Sequence, residues 1–401
     1  MRSLALSTHP LRLAVQDFLL EAPGLHVRRI MMALLAGVFI MVLVIAWNRS
    51  AVGSFDAYGV GDWLINYAPG FIRRGFGGFV LLKVADLASL RPETVAFIVR
   101  AAALGIIYLG SAWLFMRCER PRAIDFVLLF SPCTFLFPIL DQSGGGRKEI
   151  ALLALMTFWA LRRARGQAMP GALAVSVALL VITLLHEGLF FFFPLVLVLL
   201  PAMHGRPAYR LVQIAGILLP SAALMAWFSL LQPKATAQTI HVIAQRISAT
   251  DTARWEDGSI ASLASSVTEG FNNAMWEFAR DWGGLSLLIG LAWSMVPIAY
   301  ALWSGPLRAV LMSNARAVVL ALCCQVPLYL VTTDSGRWLY TNATLLTVFY
   351  LGIQANGGYR PTASPTSRRA LWRLLALVAA IIVFAVYFRV PHCCGRGLVL
   401  H

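Results

Sequence analysis

Ile30–Trp47 reads IMMALLAGVFIMVLVIAW, an unbroken run with no charged residue. Such a run approaches the roughly 20 apolar residues that cross a bilayer core. It follows Arg28-Arg29 and gives way to Asn48-Arg49 without a small-residue cleavage site, so it reads as a retained membrane span. The rest of the chain agrees. Of 401 residues, 59% are hydrophobic and only 13% charged, with a mean hydropathy of +0.74. Too little polar surface is left to cover a soluble globule. The expectation is an all-α, polytopic transmembrane helix bundle, a single integral membrane domain over residues 1–401.

Apolar runs between charged or Gly/Pro-rich breaks fall at 30–47, 94–116, 124–140, 150–161, 171–185, 189–203, 211–231, 283–303, 317–332, 340–353 and 371–388. About eleven spans result. Several are shorter than a full crossing requires, which predicts broken helices or helices enclosed by the bundle. Residues 171–203 are read as a hairpin turning at His186-Glu187-Gly188, which keeps Arg162, Arg163 and Arg165 on the same side as Arg206 and Arg210.

Charge orients the bundle. The N-terminus and the segments 117–123, 162–170, 204–210, 304–316 and 354–373 carry 18 Arg, no Lys and three acids. The opposite segments carry 14 basic and 14 acidic residues. By the positive-inside rule the arginine-rich side is cytoplasmic, giving a multi-pass protein of a bacterial-type inner (plasma) membrane with its N-terminus inside. The net charge of +15 therefore reports topology and anionic-lipid contact, not nucleic-acid binding. Nearly all carboxylates face outward, which places any acid/base chemistry on the outer, periplasm-like face.

Two outer segments are long. Residues 48–93 hold Asp56, Asp62, several glycines and Arg73-Arg74, followed by an interfacial helix near 79–90. Adjacent arginines make bidentate anion contacts when partly desolvated, or anchor the helix to headgroups. Residues 232–282 carry Ile260, Leu263, Val267, Phe271, Met275 and Phe278 at helical spacing behind Asp257-Gly258-Ser259, predicting one amphipathic helix over the bundle mouth.

Between spans, Asp141-Gln142-Ser143-Gly144-Gly145-Gly146-Arg147-Lys148 and Asp334-Ser335-Gly336-Arg337-Trp338 share a design. An acid and a serine suited to capping precede a basic residue that opens a returning helix. Outward helix N-termini with Arg147, Lys148 and Arg337 nearby suit a phosphate or diphosphate, and simple capping is the other reading. His186-Glu187 sits among apolar residues and should pair inside the bundle, with Arg337 or Arg147 as partners for Glu187. Of six cysteines, Cys118, Cys133, Cys323 and Cys324 lie in or near spans and the adjacent Cys393-Cys394 follow His392, and no metal or disulfide spacing is visible.

The layout of about eleven spans, with Asp56 and Asp62 in the first outer loop beside an interfacial helix and arginines outward, resembles GT-C-class membrane glycosyltransferases and, more loosely, O-antigen-type polymerases. That resemblance implies a role in polysaccharide biosynthesis at the cell envelope, a sugar donor linked to polyprenyl phosphate or diphosphate, and a glycan or lipid acceptor. It also implies an acidic residue of the first outer loop that serves the acceptor or a divalent metal. Here Asp56 and Asp62 stand apart rather than as a tight pair. On this reading Asp62, flanked by Trp63 and Tyr67 as sugar-stacking surfaces, deprotonates the acceptor, with Asp56 as the second candidate. Arg73, Arg74, Asp141, Arg147, Lys148, His186, Glu187, Asp334, Arg337 and Trp338 form the substrate-binding set. A transporter or flippase of an anionic lipid-linked substrate, or a noncatalytic assembly subunit, fits the same topology. The residues name no protein partner.

Overall fold

The computed structural model describes residues 25–52, 56–118, 123–203, 211–279 and 307–356, with isolated positions in 285–300 and 376–383. The runs expected at 283–303 and 371–388, and Cys393-Cys394, lie largely or wholly outside these residues. Every regular element among the described residues is helical.

The helices used below are α1 Leu25–Trp47, α2 Gly59–Leu64, α3 Gly75–Ala88, α4 Pro92–Arg117, α5 Glu149–Ala164, α6 Ala172–Leu185, α7 Phe193–Met203, α8 Leu211–Ala226, α9 Ala237–Ile247, α10 Val267–Ala279, α11 Ala315–Cys323, α12 Val326–Val331 and α13 Ser335–Gln354. Three stretches are long and apolar enough to cross a membrane: Met31–Ser50, Pro92–Arg117 and Val212–Leu231. Ala172–Leu185, Glu187–Pro201 and Ala315–Val331 are shorter apolar stretches.

The core is built around α5, which packs on α4 and α13, while α1 covers the other side of α4. In α13, every residue from Ser335 to Gly352 is buried. A helix enclosed all round must satisfy its own polar side chains. Thr341 and Thr347 do so by donating to the carbonyls of Arg337 (2.9 Å) and Ala343 (2.8 Å), one turn back.

Contacts at the two ends fix the helix directions. Arg100 of α4 reaches the turn before α5, and Arg337 of α13 reaches Glu149 of α5. At the far end, Arg165 beyond α5 stacks on Trp113 of α4. Thus α4 and α5 run parallel, and α13 opens at the same end as α5.

Two runs read as continuous are interrupted, and the one read as a hairpin breaks at its expected turn. Residues 124–140 form Ala123–Leu129 and Phe137–Leu140, separated by a turn that contains Pro132. There the Ser131 hydroxyl accepts from the Cys133 N–H (3.2 Å). Residues 317–332 break at Cys324-Gln325, just before Pro327 in the first turn of α12. At 171–203 the chain breaks at His186 and passes through a 3₁₀ turn, Glu187–Phe192. The flanking helices then pack on different neighbours, α6 on α8 and α7 on α11 and α13.

The helix expected from residue 259 begins instead at Val267. Ser266 and Glu269 form a reciprocal capping box, with Ser266 N–H donating to Glu269 (2.7 Å) and Glu269 N–H to the Ser266 hydroxyl (3.1 Å). Ile260 and Leu263 belong to a separate buried turn.

The loop after α2 lies directly against α3. A Cβ added at Gly78 would stand 2.0 Å from the Ile65 carbonyl oxygen, whereas one at Gly216 of α8 would meet nothing within 4 Å. Gly78→Ala is expected to lower stability by about 1–3 kcal/mol. Gly216→Ala should be neutral or slightly stabilising. Thermal unfolding of the detergent-purified proteins compares the two.

Candidate functional site

Four separated segments meet at the end where α5 and α13 open. The first is the loop around α2. The Asp56 carboxylate accepts from the Gly59 N–H (2.8 Å) and starts α2; that short helix turns Asp62 wholly inward. Trp63 follows it in and donates its indole N–H to the Gly146 carbonyl (2.9 Å). Arg100 donates Nε to the same oxygen (3.0 Å) and Nη1 to Ser50 (3.2 Å). One carbonyl thereby fixes the turn that carries Arg147 and Lys148.

The second segment supplies Arg74, whose backbone lies in the left-handed region with φ 63°. That conformation costs a non-glycine residue roughly 1–3 kcal/mol. Local partners offset it. Arg74 makes a bidentate pair with Glu187 (Nε–Oε2 3.0 Å, Nη2–Oε1 2.8 Å), and its carbonyl accepts from Lys148 Nζ (2.8 Å).

The third and fourth segments are the α6–α7 break, with His186-Glu187, and the start of α13. Arg147 lies between Asp62 (3.6 Å) and Asp334 (3.6 Å). Arg337 holds Glu149 Oε1 (2.7 Å) and Asp334 (3.0 Å). His186 Nδ1 accepts from the Gly188 N–H (3.1 Å), so its proton sits on Nε2, which faces Glu149 Oε1 at 3.7 Å.

Burial alone would raise the Asp62 carboxyl, but Arg147, Lys148, Arg74 and Arg337 together hold it at about 2. Burial likewise acts to raise Glu187, and Arg74 with Arg73 brings it to about 2. Burial lowers Lys148 to about 8 despite Asp62. Within the cluster the cations Arg74, Arg147, Lys148 and Arg337 match Asp62, Glu149, Glu187 and Asp334 four to four, with Arg73 at its edge. The N-termini of α5 and α13 add further positive potential. Asp62 Oδ1, Arg147 Nε, Glu149 Oε2 and His186 Nε2 are buried without a hydrogen-bond partner. Buried polar atoms are rarely left so; these four lie in the cluster, and others, such as Ser111 Oγ and Ser221 Oγ, lie elsewhere among the described residues.

Among the residues picked from the sequence, Asp62, Arg74, Arg147, Lys148, His186, Glu187, Asp334 and Arg337 come together. The others stand aside. Asp56 serves α2 and lies 3.9 Å from Arg49. Asp141 accepts from the Gly144 N–H (2.8 Å) within its own turn and does not cap α5, whose N-cap Lys148 makes no side-chain cap. Arg73 reaches Glu187 only at 4.0 Å and spends Nη2 on the carbonyls of Ser262 (3.1 Å), Leu263 (3.2 Å) and Ser265 (3.1 Å), tying two loops together. Trp338 is the exception: its ring lies 4.3 Å from Arg337 Cζ and 5.9 Å from the His186 ring, with its N–H on Thr332 (2.6 Å), while both it and Trp63 are buried. Tyr67 packs among Phe71 and Phe79. Glu187 pairs with Arg74 rather than with Arg337 or Arg147.

Glu149 and Arg100 were missed. A carboxylate directly after Arg147-Lys148 and an arginine inside an apolar span were the available signals.

No three His, Cys, Asp or Glu side chains among the described residues are arranged to hold a metal. Asp62, ringed by cations and separate from Asp56, does not fit a divalent cation.

Two tests follow from these pairs. Arg74→Leu should cost about 3–5 kcal/mol, and Arg74→Leu/Glu187→Leu should recover most of that loss. A double-mutant cycle read by thermal unfolding measures it. Glu187, ordinarily at 4.5 and held at about 2, contributes stability that is complete above its unfolded pKa and lost as pH falls through the folded value. The thermal midpoint should drop between about pH 4.5 and 2, and Glu187→Gln should flatten that slope. No family model, curated protein or solved structure matches this chain, so a functional reading has to rest on the geometry.

Proposed function

We propose that this protein is a membrane glycosyltransferase or glycan polymerase of the inner membrane, working on the outer face with a sugar donor linked to polyprenyl phosphate or diphosphate. The observation that carries the reading is the buried cluster of four cations and four carboxylates, with polar atoms without hydrogen-bond partners, at the opening of α5 and α13. A phosphate finds there Arg74, Arg147 and Lys148 within one small volume, while the donor's apolar tail lies along the bundle. As the bond from the anomeric carbon to the phosphate oxygen breaks, the electron pair leaves with the phosphate, and these cations stabilise the growing charge.

Asp62 is a weak base while the cations hold it at about 2. When they turn to a phosphate, their hold weakens and burial raises the carboxyl. Asp62 then accepts the proton of the acceptor hydroxyl as its oxygen bonds to the anomeric carbon. Binding of the donor thus prepares the base. Glu149, with Oε2 unpartnered beside Arg147 and Arg337, is the second carboxylate able to take that proton.

The helix breaks at His186 and at Thr332-Asp334 beside the cluster also suit a transporter of the same anionic amphiphile. Lipid analysis of the native host carrying Asp62→Asn at normal protein abundance separates the readings. Transfer predicts accumulation of the polyprenyl-linked sugar and a shortened surface glycan, with activity down about 10²-fold or more. Unchanged pools would overturn the enzyme reading, and donor trapped on the inner leaflet would favour transport.

A further inference from the structure

The far ends of α4 and α5 carry a second charged arrangement. Arg117 Cζ lies 4.8 Å and Arg165 Cζ 5.1 Å from the centre of the Trp113 ring. Next to them, Arg162 lies 5.9 Å over Phe158 and donates to the Ala168 carbonyl (2.9 Å). None of these three arginines pairs with a carboxylate among the described residues. At the site end Arg74, Arg147 and Arg337 each have an acid.

Backbone geometry holds this arrangement in place. Gly166, with φ +70°, closes α5 as its N–H donates to Arg163 O (2.9 Å) and that of Gln167 to Arg162 O (3.0 Å). Arg165 is therefore presented by a formed turn. Two guanidiniums from different segments lie against one indole, which concentrates positive charge there.

We propose that Arg117 and Arg165, stacked on Trp113, bind the headgroup of an anionic phospholipid. An anion at this place gains charge-assisted contacts from both guanidiniums. That it belongs to a lipid follows from α4, where Ile98, Ala102, Ile106, Leu109 and Met116 are exposed at helical spacing and lead up to Trp113. The stripe takes acyl chains, the indole sits at the boundary between chain and headgroup, and the arginines reach past it to the phosphate. The site needs only that α4 crosses a bilayer, and is independent of the reaction proposed above.

The test uses the full-length protein in a neutral detergent, following thermal unfolding with added dioleoyl phosphatidylglycerol, dioleoyl phosphatidylcholine or inorganic phosphate. Phosphatidylglycerol should raise the midpoint and the other two should not. In Arg117→Gln/Arg165→Gln its apparent affinity should fall roughly thirtyfold, about fivefold for each cation removed. If the double variant does not fold, each single variant should show its own fivefold loss. Wild-type response in the variants overturns the site. An equal effect of phosphatidylcholine overturns its charge selectivity, and a shift by phosphate alone assigns it to a soluble anion instead.

Discussion

Charges removed from water have to be neutralised by one another, and that requirement fixes where four distant parts of the chain meet. Arg74 comes from the first loop, Glu187 from a helix break, Arg147 and Glu149 from the start of α5, Asp334 and Arg337 from the start of α13. Each ion left alone would cost several kcal/mol, so the partners have to arrive together. The left-handed backbone at Arg74, the enclosed α13 and the parallel run of α4 and α5 are all consistent with that demand.

Much of this was legible in advance, for a definable reason. A charged residue inside an apolar sequence is expensive, so Asp62, Arg147, Lys148, His186, Glu187 and Arg337 stood out. Which acid meets which arginine was not legible, because several arginines lie within reach of each carboxylate and only the tertiary path decides. Indoles are ambiguous for a related cause, since Trp63 and Trp338 look the same in sequence whether they face a ligand or the core. Periodicity misled at 260–278, where the apolar spacing runs straight through Ser265-Ser266 while the local capping chemistry ends one element and begins another. The long apolar stretches α1 and α4 were plain from composition. The shorter ones were not, since a run of apolar residues does not reveal where Pro132 or Pro327 divides it.

The two ends of the bundle follow different electrostatic rules. At the opening of α5 and α13, opposite charges interlock and desolvation sets their behaviour. At the far end, cations without an acid partner among the described residues stand on aromatic rings, beside the carbonyl ends of α4 and α5, which complement positive charge. One arrangement is suited to discriminate a ligand, the other to hold a level.

The Gly146 carbonyl oxygen accepts from both Trp63 and Arg100. Because a single atom receives both donors, the first loop, the turn before α5 and the upper part of α4 are pinned like three plates on one rivet. Any widening that admits a bulky molecule has to hinge elsewhere.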